Sequence, residues 1–168
     1  MAVLRIELLG APVLRERAAE VEAVDDGVRG LVRDMFDTMY AANGQGLAAP
    51  QVGVSRRIIV VDVPGSDAPA SALINPRLVE RSAETARGEE GCLSIPGVAD
   101  VVERPARVVV EALDLEGAPV RIDAAGDLAR CLQHEIDHLD GILYIDHLSP
   151  LKRKMLLARY RKQAQARV

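Results

Sequence analysis

The spacing of apolar positions changes several times along the chain, and each change marks an element. After Asp25-Asp26, apolar residues recur at Val28, Leu31, Val32, Met35 and Met39, the i, i+3, i+4, i+7 spacing of a helix buried on one side. Asn43-Gly44 stops it, a loop runs over 44–53, and the run Arg57-Ile58-Ile59-Val60-Val61-Asp62-Val63, closed by Pro64-Gly65, predicts a strand. Further strands are predicted over 72–75, 93–95, 108–113 and 120–123, with Glu116-Gly117 turning a hairpin between the last two. Gly126-Asp127 opens a second helix with Asp127 as its cap, and Ser149-Pro150 opens a third that runs to the C-terminus. Strands grouped between helices imply an α+β fold: antiparallel sheets around a central helix, with an N-terminal helix and a C-terminal one. Neither repeat nor linker interrupts the 168 residues. The expectation is one domain over 1–168, large enough to bury about two thirds of its unfolded surface.

Charge and cysteine usage narrow the setting. Two cysteines, Cys92 and Cys131, are too few for a disulfide framework and read as reduced thiols. Arg5 and Glu7 interrupt the N-terminal apolar residues, which excludes a signal or transit peptide, and no run approaches a membrane span. The reading is a soluble, cytoplasmic monomer with no membrane partner. A net charge of -4 argues against a general nucleic-acid binder. The segment over 150–168 nevertheless carries seven Lys or Arg and no acid, so the third helix is basic. As an amphipathic helix it would pack Leu151, Met155 and Leu156 on the body.

Chemistry concentrates on the second helix, in Cys131-Leu132-Gln133-His134-Glu135-Ile136-Asp137-His138-Leu139-Asp140-Gly141. His134 and His138, four residues apart, share one helix face and can meet at one ion. Glu135, about 100° round, can act as a base beside it. A third ligand is needed. The pattern that continues to a third histidine fails because Tyr144 stands at that position, and no glutamate follows Glu135 to serve from a later helix. His147 falls beyond the helix end and reads as a solvated loop residue. Cys131 shares the stripe, but an ion between the histidines lies about 7 Å further along the axis. A cysteine side chain plus its metal bond spans only roughly 5 Å, so Cys131 reads as core behind the site. Cys92, in Glu89-Glu90-Gly91-Cys92-Leu93-Ser94-Ile95-Pro96, remains. The predicted ligand set is Cys92, His134 and His138, with water in the fourth position. Ligand identity alone suggests zinc.

Three separated motifs, Gly44-Gln45-Gly46-Leu47-Ala48-Ala49-Pro50-Gln51, Glu90-Gly91-Cys92-Leu93-Ser94 and Gln133-His134-Glu135-Ile136-Asp137-His138, together resemble those of the peptide deformylases. The similarity extends from the first helix to the basic last one. The resemblance implies hydrolysis of the N-formyl group from the initiator methionine of new bacterial or organellar polypeptides, giving formate and a free amine. It assigns oxyanion stabilisation to the metal, the Gln51 side chain and the Leu93 backbone N–H, with Glu135 as the proton carrier. It places a peptide, bound as an added strand, along Gln45, Gly46 and Gly91. It favours Fe(II), one ion, with nickel or cobalt active and zinc poorer. It also suggests contact between the basic helix and ribosomal RNA where the nascent chain emerges. Gln45, Asp127 and Ala99 depart from the residues common in such enzymes, which bears on the methionine pocket. Glu90 and Arg104 are expected to pair behind the site. Two rival readings rank below it, another zinc peptidase and a structural metal module, of which the second would have no use for Glu135 or Gln51.

Overall fold

The computed structural model describes residues 2–166. Its elements in order are α1 (Asp26–Ala41), β1 (Gly46–Ala48), β2 (Ile58–Val61), β3 (Ser71–Arg81), β4 (Thr85–Cys92), β5 (Ile95–Pro105), β6 (Arg107–Leu113), β7 (Pro119–Ala125), α2 (Gly126–Leu139) and α3 (Pro150–Ala166), with short 3-10 turns between some of them. The expected α+β fold is present. A five-stranded antiparallel sheet has the order β1-β2-β3-β6-β7, and β4 and β5 form a separate two-stranded sheet.

Both faces of the large sheet are covered, which explains why β2 is apolar at every position rather than alternating. Ile59 and Val61 face α2, packing with Leu128, Leu132, Ile136 and Leu139. Ile58 and Val60 face α1, packing with Val28, Val32, Met35 and Met39. Those four α1 residues are the ones whose spacing predicted the helix, and the Asp25 carboxylate caps it by accepting from the Val28 N–H at 2.9 Å. The other side of α2 meets the β4–β5 hairpin. A third apolar cluster, with Ile95, Val102, Tyr144 and Leu156, joins that hairpin to the chain after α2 and to α3.

Several expectations need correction. Of the strand expected over 93–95 only Ile95 is extended, as the first residue of β5, whereas Leu93-Ser94 form the tight turn between β4 and β5. The hairpin leaves little mark on the apolar pattern, because 85–105 is rich in charged residues and glycine and lacks a run of apolar alternation. The loop over 44–53 contains the short strand β1 and a 3-10 turn over Ala49–Val52. Asp127 lies in the first turn of α2, and Ala125 holds the cap position without a side-chain bond. On α3 the packed residue is Leu156, whereas Leu151 and Met155 stay 68% and 58% exposed. Met155 sits about 100° and Leu151 about 140° round the helix from Leu156, away from the face that meets β5. Arg167, one of the seven basic residues, lies outside the described residues.

Helix α2 ends with a left-handed glycine. The Gly141 N–H donates to the His138 carbonyl at 3.2 Å and the Ile142 N–H to that of Asp137 at 3.0 Å, the double closure of a Schellman end. Gly141 has φ +73, and a Cβ there would lie 2.7 Å from the Arg15 carbonyl oxygen. Gly117, in the β6–β7 turn, has φ +78 and nothing within 4 Å of a Cβ. Gly117→Ala should therefore lose only the left-handed penalty of about 1–2 kcal/mol, and Gly141→Ala clearly more, because backbone must move. Urea unfolding of the two variants checks this; equal losses would show that the Arg15 contact is unimportant.

Candidate metal centre

Three segments from different parts of the chain meet on one side of α2. One donor side chain each from Cys92, His134 and His138 converges, with the three ligand atoms within 4.8 Å of one another. The Cys92 Sγ is 3.3 Å from His138 Nε2, close to the separation of about 3.6 Å that tetrahedral thiolate and imidazole ligands adopt around zinc-sized ions. Cys92 arrives from the end of β4, where pairing slips between Glu90 and Cys92. Bulges commonly re-aim a side chain next to a site in this way. The two histidines come from successive turns of α2, as their spacing predicted.

The cluster suits a cation. The His134 Nδ1–H donates to Glu90 Oε1 at 2.9 Å, which leaves the Nε2 lone pair for the cluster. Burial works against charge on His134, but the Glu135 carboxylate, Cys92 and Glu90 more than offset it and hold that imidazole well above its ordinary pKa. Positive charge is thus drawn to the point between the carboxylates and the sulfur. His138 Nδ1 and Glu135 Oε1 are buried without a hydrogen-bond partner among the described residues. The Glu135 oxygen, buried beside the three donors with no partner of its own, is the kind of orphan that marks a functional centre. The residues present fit a single bound metal ion.

Glu135 turns its carboxylate towards β1. A Cβ on Gly46 would lie 2.6 Å from Glu135 Oε2 and 2.8 Å from Cys131 Sγ, so glycine is required for the strand to pass this close. Burial pushes the Glu135 carboxyl up to about 7, with Glu90 and Asp137 adding to the rise against the opposing charges of His134 and Arg104. A group poised there takes up and releases protons readily near neutral pH. A cation held by the three ligands would draw it down again.

Gln51 is 1% exposed and is held at both ends. Its Oε1 accepts from the Ala48 N–H at 3.0 Å, so the amide nitrogen points the other way, to Ser94 Oγ at 3.1 Å and Cys92 Sγ at 3.5 Å. Leu93, in the β4–β5 turn, follows Cys92 directly. An extended N-terminal segment ties these two loops together, with Glu7 N donating to Gln51 O at 2.7 Å and Leu9 N to Ser94 O at 2.9 Å. Gln45, Gly46, Gln51, Gly91, Cys92 and Glu135 all line a cavity of about 750 Å³. Asp127 borders it too, as does Cys131. Cys131 stays outside the ligand cluster, as the reach argument required, yet it forms cavity wall as well as packing against the core.

Behind the ligands lies a buried polar network of which sequence reading found one bond. The expected Glu90–Arg104 pair is bidentate, at 2.6 and 2.9 Å. Arg104 also donates to Asp137 at 2.9 Å, and Asp137 accepts from His147 at 2.9 Å. His147 is thus no ligand but a partner of Asp137 at the surface. Burial would raise the Glu90 carboxyl, but hydrogen bonds from His134 and Arg104 hold it well below the usual carboxylate range. Arg130 joins this network as well, at 2.8 Å from Glu90 Oε2. Its position one turn before His134 puts Arg130 on the same face of α2, but nothing local names Glu90, 40 residues away, as its partner.

Residues 3–154 match the sequence profile of the family described as polypeptide deformylase. A peptide deformylase of Phenylobacterium zucineum is 47% identical over 168 residues, covering 99% of each chain. The crystal structure of a peptide deformylase from Legionella pneumophila superposes with a TM-score of 0.92 at 47% identity over 99% of each chain. That of the Ehrlichia chaffeensis peptide deformylase in complex with actinonin does so with a TM-score of 0.91 at 45% identity, over 97% of this chain and 98% of that one. With its three motifs gathered at one centre and its whole length matched by such relatives, this chain belongs to the polypeptide deformylase family.

Proposed function

We propose that this centre carries out the family's reaction, metal-dependent hydrolysis of the N-formyl group from the formylmethionine that begins new polypeptides, with Cys92, His134 and His138 holding the ion. The observation that carries the assignment is the convergence of those three donors beside a buried carboxylate with an unpartnered oxygen. A structural site would normally be closed by four protein ligands; here the cluster offers three and opens on the cavity. The domain expected over 1–168 is taken to act as one catalytic unit and as a monomer.

When bound, the ion supplies Lewis acidity that polarises the formyl carbonyl and makes water a competent nucleophile at neutral pH. The chain's own groups do the rest. Glu135 accepts the proton of the attacking water and delivers it to the departing amine nitrogen. Gln51 Nε2–H and the Leu93 N–H donate to the oxygen on which charge develops. Because Gln51 is already fixed by Ala48 and Ser94, no reorganisation is needed as charge appears, and one such donor is typically worth about 3–4 kcal/mol. The peptide lies as an added strand along Gln45, Gly46 and Gly91, which border the cavity. Gln45 and Asp127 give the rim of the methionine pocket more polarity than an aliphatic pair would.

The ion proposed is Fe(II), with nickel, cobalt or zinc as substitutes. The partner is the formylated nascent chain, met in the cytoplasm; no helix among the described residues is long and apolar enough to cross a membrane. Contact with the ribosome is assigned to α3. Leu151 and Met155 face solvent there, among Lys152, Lys154, Arg159 and Lys162, so the helix presents both cations and apolar surface to a partner.

Formate release from formyl-Met-Ala-Ser by protein loaded anaerobically with iron tests the reaction, and no formate from fully metallated protein would sink it. Glu135→Ala should keep its metal and lose about 10²–10⁴ in turnover. Cys92→Ala should lose metal while Cys131→Ala retains it; metal analysis of the purified variants decides, and an empty Glu135→Ala site would move that residue among the ligands. Activity of the Fe(II) form should decay in air as metal and thiolate oxidise, and undiminished activity after aerobic storage would point to a redox-inert ion. Co-sedimentation with bacterial ribosomes should fall steeply with salt, and should fall on changing Lys152, Arg153, Arg159 and Lys162 to glutamine. Equal binding by both proteins would confine α3 to packing.

A further inference from the structure

The β4–β5 hairpin shares no ladder with the large sheet, although it delivers Cys92 to ligands carried by α2. A two-stranded ribbon has little stability of its own, so its seat on α2 must be fixed by side chains. Arg130 is the side chain best placed to do this. Its Nη1 donates to Glu90 Oε2 at 2.8 Å and to the Val102 carbonyl at 2.9 Å, and its Nη2 to the Ala86 carbonyl at 2.9 Å. Ala86 and Glu90 belong to β4 and Val102 to β5, so one guanidinium spans both strands.

The hairpin is shaped to receive it. Gly88 pairs with Val102 and lies between Ala86 and Glu90 on the side facing α2, by the two-residue alternation of a strand. A Cβ at Gly88 would lie 2.7 Å from Arg130 Nε and 2.9 Å from its Cζ. The guanidinium therefore occupies the space that any side chain at 88 would claim. Arg130 borders the cavity, but its side chain is only 15% exposed and its head is spent on Glu90 and two carbonyls. It is not a hook for an anionic substrate.

We propose that Arg130 is a positioning residue for the metal centre: seated in the gap at Gly88, it fixes the hairpin on α2 and so holds Glu90 on His134 and Cys92 within reach of both histidines. The proposal rests on the assignment of Cys92, His134 and His138 as ligands. It does not depend on which substrate is hydrolysed. Outer partners of this kind typically change metal affinity or activity by about 10–100-fold when removed.

The test uses the metal-loaded protein and its Arg130→Met, Arg130→Lys, Gly88→Ala and Gly88→Ala/Arg130→Met variants. Release of the ion to a competing chelator is followed alongside kcat and KM for formyl-Met-Ala-Ser, with circular dichroism to confirm folding. Arg130→Met should release metal about tenfold faster or more and lower kcat with little change in KM. Arg130→Lys, which keeps a charge for Glu90 but cannot span both strands, should fall between. Gly88→Ala should reproduce the loss by displacing the guanidinium, and the double variant should be no worse than Arg130→Met. If Arg130→Met does not fold, Gly88→Ala gives the same readout with the arginine retained. Wild-type metal retention in Arg130→Met or Gly88→Ala, or losses that multiply in the double variant, would overturn the proposal. Metal release needs no turnover, so a wild-type protein that binds metal but yields no formate would overturn the functional reading and leave this one standing.

Discussion

The Glu90 carboxylate, at 4% side-chain exposure, can stay ionised inside the protein only if both oxygens are matched. His134 and Arg104 meet Oε1, and Arg104 and Arg130 meet Oε2. Those partners come from β5 and from two turns of α2, so satisfying one buried charge brings the hairpin that carries Cys92 against the helix that carries His134 and His138. Buried ion pairs often contribute little net stability, because desolvation offsets attraction, but removing one partner leaves an uncompensated charge at about 3–5 kcal/mol. The network therefore acts as a device of register. Any slide of the hairpin along α2 breaks several charged hydrogen bonds together, and the cysteine–histidine geometry inherits that intolerance.

Close approach is the second constraint, and it explains the small residues around the centre. Gly46 lets β1 pass against the Glu135 carboxylate and the Cys131 sulfur. Gly44 sits where a Cβ would lie 2.8 Å from a Leu93 methyl carbon. Together they allow the loop that carries Gln51 and the turn that carries Leu93 to face each other across the ligands. The N-terminal segment then fastens the loop and the turn through the backbone carbonyls of Gln51 and Ser94. Donors aimed in advance are worth more in a buried site than donors that must turn to face a developing charge. The Gln51 side chain is held as well, by the Ala48 N–H and by Ser94 Oγ, so both its backbone and its amide are fixed.

Helix α3 is anchored more sparingly. Leu156 is its one fully buried residue, with Leu157 and Tyr160 packed beside it against β5 and the turn after α2. The remainder of its surface is left to cations and to two exposed apolar side chains. This division suits a helix that docks along one narrow seam and offers its other faces outward.

Sequence by itself determined the elements with strong periodicity, α1 by its apolar spacing, β2 by its β-branched run, and α2 by its histidines, because local pattern and burial agree there. It also determined the three motifs, and with them the ligands and base to be expected, since metal chemistry restricts both residue type and helical spacing. It did not reveal the β4–β5 hairpin, whose 21 residues over 85–105 show weak alternation because their inward positions carry Gly88, Glu90 and Arg104 instead of apolar groups. It misjudged which face of α3 is buried, because Leu151, Met155 and Leu156 are equally apolar and only the position of β5 selects among them. It identified the Glu90–Arg104 pair but gave no place to Arg130, Ser94 or the Asp137–His147 contact. Those partners are remote in sequence, and a charged or small polar residue carries no periodic signal of what it will meet. Tertiary structure alone decided them, because a buried charge is matched by whatever the packing of separate elements brings within about 3 Å.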